Sequence, residues 1–404
     1  MENYVNTLCA LFVCFFVNIF SSNALATQKI DVLLVAYDQG ESNAFKQLEK
    51  ALKKQGLNYR ILSMGRAAEI FRNHPLNLTI SVPDPEQLRN NRETAWPESA
   101  LLELSQRINP KIVYAGMASA AQAQILNYMK QQGSFTMALY DNFDDITNQE
   151  YVQAFLKTIR TIDEFHLPSS ATGVSFNDLV LCPTPLYLVT GQPALEAWDD
   201  IYRQTDDRSV RLELNLGPNE PVVTFAGGYD DTYEEYFRVF LEATRKMPSV
   251  AFLVTHHPKT NGEIERRLIK EIAAGNVRLM ENNRHSTAVL TKISVAVMVH
   301  KSSIGTMALY KGKPVIHIAE PEADNFLIRR KLAFLASTPE QVVKKFQAAI
   351  ATHHQFLSLE SLGIPNHQAS RFIASEFKDI LEELKEPRPE GQEVCKEVQG
   401  IPLR

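Results

Sequence analysis

The chain has 404 residues, is 45% hydrophobic and 22% charged, and carries a formal net charge of -5. At ~100–200 residues per domain, this is an ordinary globular composition spread over two or three domains. An acidic balance with no Lys/Arg-rich tract excludes a general nucleic-acid binder.

Residues 8–20, LCALFVCFFVNIF, are apolar apart from Asn18, and Ala24-Leu25-Ala26 follows them as a small-x-small pattern. The run is shorter than the ~20 residues a spanning helix needs. Both features predict a signal peptide over residues 1–26, Thr27 as the new N-terminus, and an exported (periplasmic or secreted) protein. One feature opposes this: no Lys or Arg precedes the run, whereas Lys29 follows it. On that feature the leader stays uncleaved and anchors the chain to the membrane. Beyond the leader only Cys182 and Cys395 remain, so an exported form has at most one disulfide. No CxxC or Cys/His metal spacing occurs, and neither a metal nor a cofactor is expected. The sequon Asn77-Leu78-Thr79 has meaning only in a eukaryotic secretory pathway.

After the leader, Ile30 to Tyr37 is an apolar, β-branched run of the kind a strand buried on both faces requires. Asp38 to Ser42 is a polar turn at its end, and Asn43 to Lys54 an amphipathic helix stopped by Gly56. A second strand spans Asn58 to Ser63. Residues 73–97 are polar, contain four prolines and are read mostly as loop. The strand–helix rhythm resumes with a helix over Leu101–Arg107, a strand over Lys111–Ala115, a helix over Ser119–Gln131 and a strand over Phe135–Tyr140. The last ends in Asp141-Asn142-Phe143-Asp144-Asp145. Acids there suit a sugar hydroxyl, a metal or simply a solvated turn. A helix over about 149–160 and a strand near Glu164–Leu167 complete this half. Periodicity then fades through 168–220, and connectors around Gly191 and Gly217 place a boundary within 190–218.

From Pro221 the alternation is regular, with strands at 221–226, 250–255, 277–281, 294–299, 314–318 and 333–336. Six such units predict a parallel doubly wound sheet whose polar turns share one edge. One turn organises the reading. SVAVMVH is followed by KSSIGTMALYKG and then KPVIHIAE, a strand–helix–strand unit with His300, Lys301, Ser302, Ser303, Gly305 and Thr306 at the sheet's ligand-binding edge. Helix capping by the serines is the simpler explanation. A lysine and a histidine in the same turn favour an anion site. Lys301, if unpaired, needs water or an anion. The fold class is α/β, with two Rossmann-like doubly wound domains facing a cleft. The domains are 27–205 and 206–385, the second with a terminal helix, and a flexible tail covers 386–404.

This pattern resembles the GT-B architecture over most of the mature chain. Its C-terminal half is most similar to the UDP-N-acetylglucosamine 2-epimerase and GT-B glycosyltransferase group. Gly227-Gly228 stands where that group has a Gly-containing loop after the first strand, His257-Pro258 where a later strand ends in His-Pro, and Ser302-Ser303-Ile304-Gly305-Thr306 where a serine/glycine turn heads the helix under the donor pyrophosphate. The resemblance implies nucleotide phosphates at Ser302, Ser303 and Thr306, with the uracil and sugar across the cleft. Two positions depart from the group: Met307 replaces a ribose-contacting Glu, and Lys301 replaces an acid. Glu320 and Asp324 are candidates for donor-sugar hydroxyls in its stead. His257 is a phosphate donor or an acid/base near neutral pH, or else a structural histidine. Asp38 faces the cleft as an acceptor-side base or a turn carboxylate. The expected activity is sugar transfer from a nucleotide-sugar donor to a glycan acceptor, in envelope or surface glycan metabolism. The alternative is a non-catalytic module of the same shape that binds a glycan or anionic sugar phosphate in an exported compartment.

Overall fold

A strand buried on both faces must hand every backbone group to a neighbour, and the two sets of apolar runs do so as two wholly parallel sheets. The computed structural model describes residues 28–385 apart from 83, 177, 178, 180, 182, 258, 282–284 and 352–361. The expectations for the leader, for Cys182 and Cys395, for Pro258, for the turn at 282–284 and for the tail lie outside the described residues.

The first sheet contains β1 (Gln28–Ala36), β2 (Tyr59–Ser63), β3 (Asn77–Leu78), β4 (Ile108–Gly116), β5 (Phe135–Leu139), β6 (Glu164–Leu167) and β7 (Leu186–Val189), ordered β3-β2-β1-β4-β5-β6-β7. The second contains β8 (Val222–Ala226), β9 (Ala251–Thr255), β10 (Val277–Leu279), β11 (Ala296–Val299), β12 (Val315–Ile318) and β13 (Phe334–Ala336), ordered β10-β9-β8-β11-β12-β13. Each order reverses beside its first strand, at β1/β4 and at β8/β11. Such switch points are where open α/β sheets bind ligands. Alternate residues of β1 feed two cores, Leu33 and Val35 on one face and Val32, Leu34 and Ala36 on the other. That is why the run reads as continuously apolar. Among the described residues no helix is long and apolar enough to cross a membrane.

Three local readings change. The first helix begins at Gln39, because Asp38 and Glu41 form a capping box that draws the expected polar turn into the helix. The region 73–97 contains β3 and a helix, Pro85–Asn90, capped by the Asp84 carboxylate on the Gln87 N–H. The stretch 168–220 supplies β7 and three α-helices, Ser170–Gly173, Pro193–Gln204 and Asp207–Glu213. In β7, an edge strand, Leu186 is exposed and its neighbours are only partly buried, so its apolar signal is weak. The helix Pro193–Gln204 joins the two halves. Asp200 pairs with Lys50 of the first helix at 2.8 Å, while Asp199 accepts from Tyr310 Oη at 2.7 Å and Lys311 Nζ at 2.5 Å.

The terminal helix, Ala369–Glu383, follows the second sheet in sequence but packs on the first. Its stripe of Ile373, Ala374, Phe377, Ile380 and Leu381 joins Val32, Leu34 and Tyr114, with the Phe377 and Tyr114 rings edge to face at 5.1 Å. We predict that Phe377→Ala lowers unfolding stability by about 3–5 kcal/mol through the cavity it leaves. Urea denaturation checks this, and a loss below ~1 kcal/mol would mean that the helix contributes little to the first domain.

Candidate functional site

Parallel pairing delivers the turns after every strand to one edge of each sheet, and the two edges face one another. Two contacts establish this. Arg329, in the helix Phe326–Arg329 after β12, pairs with Asp144 after β5 and with Asp324 at 2.7 Å. Beside that pair the Phe143 and Phe326 rings stack at 6.2 Å.

On the second edge, Gly227 and Gly228 are required by close approach. A Cβ on Gly227 would stand 2.7 Å from Tyr233 Oη, and one on Gly228 2.7 Å from His300 Cδ2. The turn they form carries Asp230, which accepts from Thr232 N at 3.1 Å and Thr232 Oγ1 at 2.9 Å. His300 is fully buried, with Nδ1 2.7 Å from the Ile318 carbonyl and Nε2 3.0 Å from Asp230 Oδ1. The Ile318 carbonyl and the Asp230 carboxylate thus hold the ring from both sides. Burial alone would raise the Asp230 pKa, but the hydrogen bond and charge of His300, with help from Thr232 and Lys301, bring it down to about 2.

Lys301 is not the unpaired cation that the sequence suggested. In a left-handed backbone conformation (φ 47°), its Nζ lies 2.6 Å from Glu320 Oε1 and 3.3 Å from Asp230 Oδ2. His300 and Lys301 thus both engage Asp230, and Lys301 also engages Glu320. Burial opposes the charge on Lys301, yet Glu320 and Asp230 raise its pKa; burial likewise opposes that of Glu320, and Lys301 lowers it. Glu320 keeps one oxygen, Oε2, buried and without a partner. In the following turn Ser302 Oγ accepts from Ile304 N at 3.3 Å, a local cap. Ser303 is exposed and its side chain does not cap the helix. Thr306 is partly buried one turn along. Gly305 lies against Leu327, His317 and Val315, where a Cβ would come within 3.1–3.3 Å. Met307, in place of the group's Glu, packs into the cores on both sides of the domain junction.

His257 accepts the Lys259 N–H on Nδ1 at 3.1 Å and lies 4.4 Å from the Tyr229 ring. Burial and then the Lys259 and Arg66 charges lower its pKa to about 4. It is therefore a neutral imidazole at neutral pH, suited to donating a hydrogen bond from Nε2 and unsuited to titrating there.

On the first edge Asp38 Oδ1 caps Gln39 N at 2.8 Å and Oδ2 pairs with Arg92. Despite burial, Arg92 and the Gln39 N–H hold it below the usual carboxylate range, so it is a weak base. Two further acids stand beside it. Asp141 Oδ1 accepts from Tyr151 Oη at 2.9 Å, and burial pushes Asp141 up to about 6. Glu41 is buried in the capping box, and burial together with Asp141 pushes it up to about 8. The sequence showed Asp141 within an acid cluster; the D-x-x-E spacing of Asp38 and Glu41 was the available sign of the other. Among the described residues no group of three or more His, Cys, Asp and Glu could hold a metal.

No family model matches the chain, and no curated protein does. Among solved structures it is similar to a Listeria monocytogenes protein assigned as a UDP-N-acetylglucosamine 2-epimerase (TM-score 0.68, 16% identity, 91% of this chain and 100% of that one). It is also similar to the UDP-GlcNAc 2-epimerase of Neisseria meningitidis bound to UDP-GlcNAc (TM-score 0.64, 14% identity, 88% and 100%). A third is a glycosyltransferase of Rickettsia africae ESF-5 (TM-score 0.59, 14% identity, 88% and 99%). At these identities the likeness establishes the fold: two Rossmann-like domains in a GT-B-like arrangement.

The balanced network predicts a specific pH response. Asp230 and Glu320 have folded pKa values below their ordinary 3.8 and 4.5. Their contribution is present above those values and is lost as pH falls, for Asp230 through about 2. Lys301→Ala should cost less than ~1 kcal/mol at pH 7, because the pair is partly solvated, and should flatten the acid limb of stability below pH ~4.5. Denaturation at stepped pH checks both; an unchanged acid limb would show that the pairing has no energetic weight.

Proposed function

We propose that the chain binds a nucleotide sugar, or a sugar phosphate, between the two edges and transfers the sugar to a hydroxyl acceptor, in envelope or surface glycan metabolism. The observation that carries this reading is the placing of Asp141: a carboxyl held by Tyr151 Oη at 2.9 Å against Gly40, on the edge opposite the Ser302–Thr306 turn, where burial raises its proton affinity. With the phosphates at that turn, the sugar lies toward the first domain. The solved neighbours whose names include UDP-GlcNAc support the ligand class.

In the transfer, ionised Asp141 takes the acceptor hydroxyl's proton as that oxygen bonds to the anomeric carbon. The bond from that carbon to the phosphate oxygen breaks, and the electron pair leaves with the nucleotide. Neutral His257 donates to a phosphate oxygen without adding charge, and Glu320 Oε2 accepts from a sugar hydroxyl. Asp38, held ionised by Arg92, orients the first turn.

Non-catalytic binding is the second reading, favoured by the complete pairing of Lys301 with Glu320 and Asp230. An anion must share that lysine with two carboxylates. Calorimetry with uridine diphosphate and its sugars, followed by turnover with hydroxyl acceptors, separates the two readings. Lys301→Ala should weaken binding about tenfold or more, since charge-assisted bonds contribute roughly 1.5–3 kcal/mol and its loss leaves Glu320 and Asp230 facing the anion. Asp141→Asn should cut turnover by about 10²–10⁴ with affinity nearly unchanged. Binding without turnover by the wild type would favour the non-catalytic module; no binding of any of them would overturn transfer from a uridine-diphosphate sugar and leave a module that binds no nucleotide.

Export belongs to the same proposal. The mature chain is expected to begin at Thr27, and a mass spectrum showing intact Met1 to Lys29 on membrane-bound protein would contradict it.

A further inference from the structure

Two lysines flank the turn after β8, and the turn treats them differently. Its adjacent residues Tyr229 and Asp230 serve opposite sides. Asp230 meets His300 and Lys301 at the end of β11. Tyr229 meets His257 and Lys259 at the end of β9, with the imidazole ring 4.4 Å and Lys259 Nζ 4.0 Å from its own ring. Strands β9 and β11 are the two neighbours of β8 in the sheet, so one turn holds a lysine on either side.

The resulting charge differs. Lys301 is neutralised by two carboxylates, Asp230 and Glu320. Lys259 is held by an aromatic face, which attracts a cation through its quadrupole and cancels none of its charge. Among the described residues no carboxylate pairs with Lys259. After burial, the groups that lower the proton affinity of His257 are Lys259, Arg66 and His256, all basic. The uncompensated cation that the sequence suggested at Lys301 therefore stands at Lys259, on the other side of β8. Tyr229 is 54% exposed, and folding does not require so large a ring there; holding Lys259 accounts for it.

His257 adds a directed donor. Its Nδ1 accepts the Lys259 N–H at 3.1 Å, so the neutral ring carries its proton on Nε2, and no described residue accepts from that nitrogen. At the β12 end the two sheet edges touch through Phe143 and Phe326 and through Asp144 and Arg329. A ligand that extends past the Ser302–Thr306 turn thus has the β9 end to occupy.

We propose that Lys259, carried on the Tyr229 ring, is the anion-binding cation of the second edge, and that with the His257 Nε2–H it holds the diphosphate of a nucleotide ligand. A diphosphate has oxygens for both donors, and a lysine acts on phosphate as a point charge without the fixed fork that an arginine needs.

The nucleotide rests on the function proposed above; an anion site at Lys259 does not. Calorimetry of the full chain with uridine diphosphate compares three variants with the wild type. Lys259→Met keeps an apolar stem on Tyr229 and removes the charge; it should weaken binding about tenfold or more. Tyr229→Leu keeps the charge and removes its support, for a loss of about two- to fivefold. Lys270→Met, in the helix Glu263–Ile272, is the control and should change affinity by about twofold or less. Inorganic pyrophosphate, titrated into chain labelled with nitrogen-15 at histidine, reads the anion site without the nucleoside. The His257 resonances, assigned by their loss in His257→Gln, should shift in the wild type and stay fixed in Lys259→Met. Unchanged uridine diphosphate affinity in Lys259→Met, or a pyrophosphate shift that persists there, overturns the inference and leaves the nucleotide reading standing. A shift that Lys259→Met abolishes, without uridine diphosphate binding, overturns only the nucleotide. No response to either probe overturns both.

Discussion

Glu41 is a carboxyl buried among amide donors with no cation to balance it, and the first sheet's edge is built round that constraint. Its side chain fills the space over Gly116, bonds the start of its own helix, and is held by Gln122 from the first turn of the helix after β4. One side chain thus ties the ends of β1 and β4 at the switch point. Asp38 and Asp141 take their places from it: Asp38 caps the same helix and is drawn to Arg92, while Asp141 sits over Gly40. Different environments then give the acids different tasks. A paired carboxylate remains ionised, and a buried one without a cation keeps its affinity for protons.

The second edge solves the opposite problem. Lys301 brings a positive charge to the end of a buried strand, Asp230 and Glu320 neutralise it in place, and Asp230 also meets the buried His300 ring. The resulting turn is stable without a ligand, yet it stays receptive. Ser303 is exposed and Glu320 Oε2 is unpartnered. In the proposed function a neutral His257 and a charge-balanced lysine meet the phosphate.

The parallel strands were legible in the sequence because strands buried on both faces are apolar throughout, and parallel pairing with right-handed crossovers then places their turns on one edge. The central turn at 300–306 followed from that rule. What escaped was set by partners distant in the chain. Nothing local to Lys301 indicates that Asp230 and Glu320, from the ends of other strands, meet it. The terminal helix showed an apolar stripe, which says that a face is buried without saying against which sheet. Asp141 was visible as one acid among several, but its burial beneath Tyr151 and against Gly40 depends on how β1 and β5 come together. The strand β7 was hidden for a plainer reason, its partial exposure at the sheet's edge.

The central claim is that one ligand spans both edges. Hydrogen–deuterium exchange of the full chain with and without a saturating uridine-diphosphate sugar tests it directly, since it reads both domains at once. The account predicts slowed exchange in residues 301–306 of the second domain together with the turns at 38–42 and 140–142 of the first. Protection confined to one domain, or to surfaces away from both turns, would contradict it.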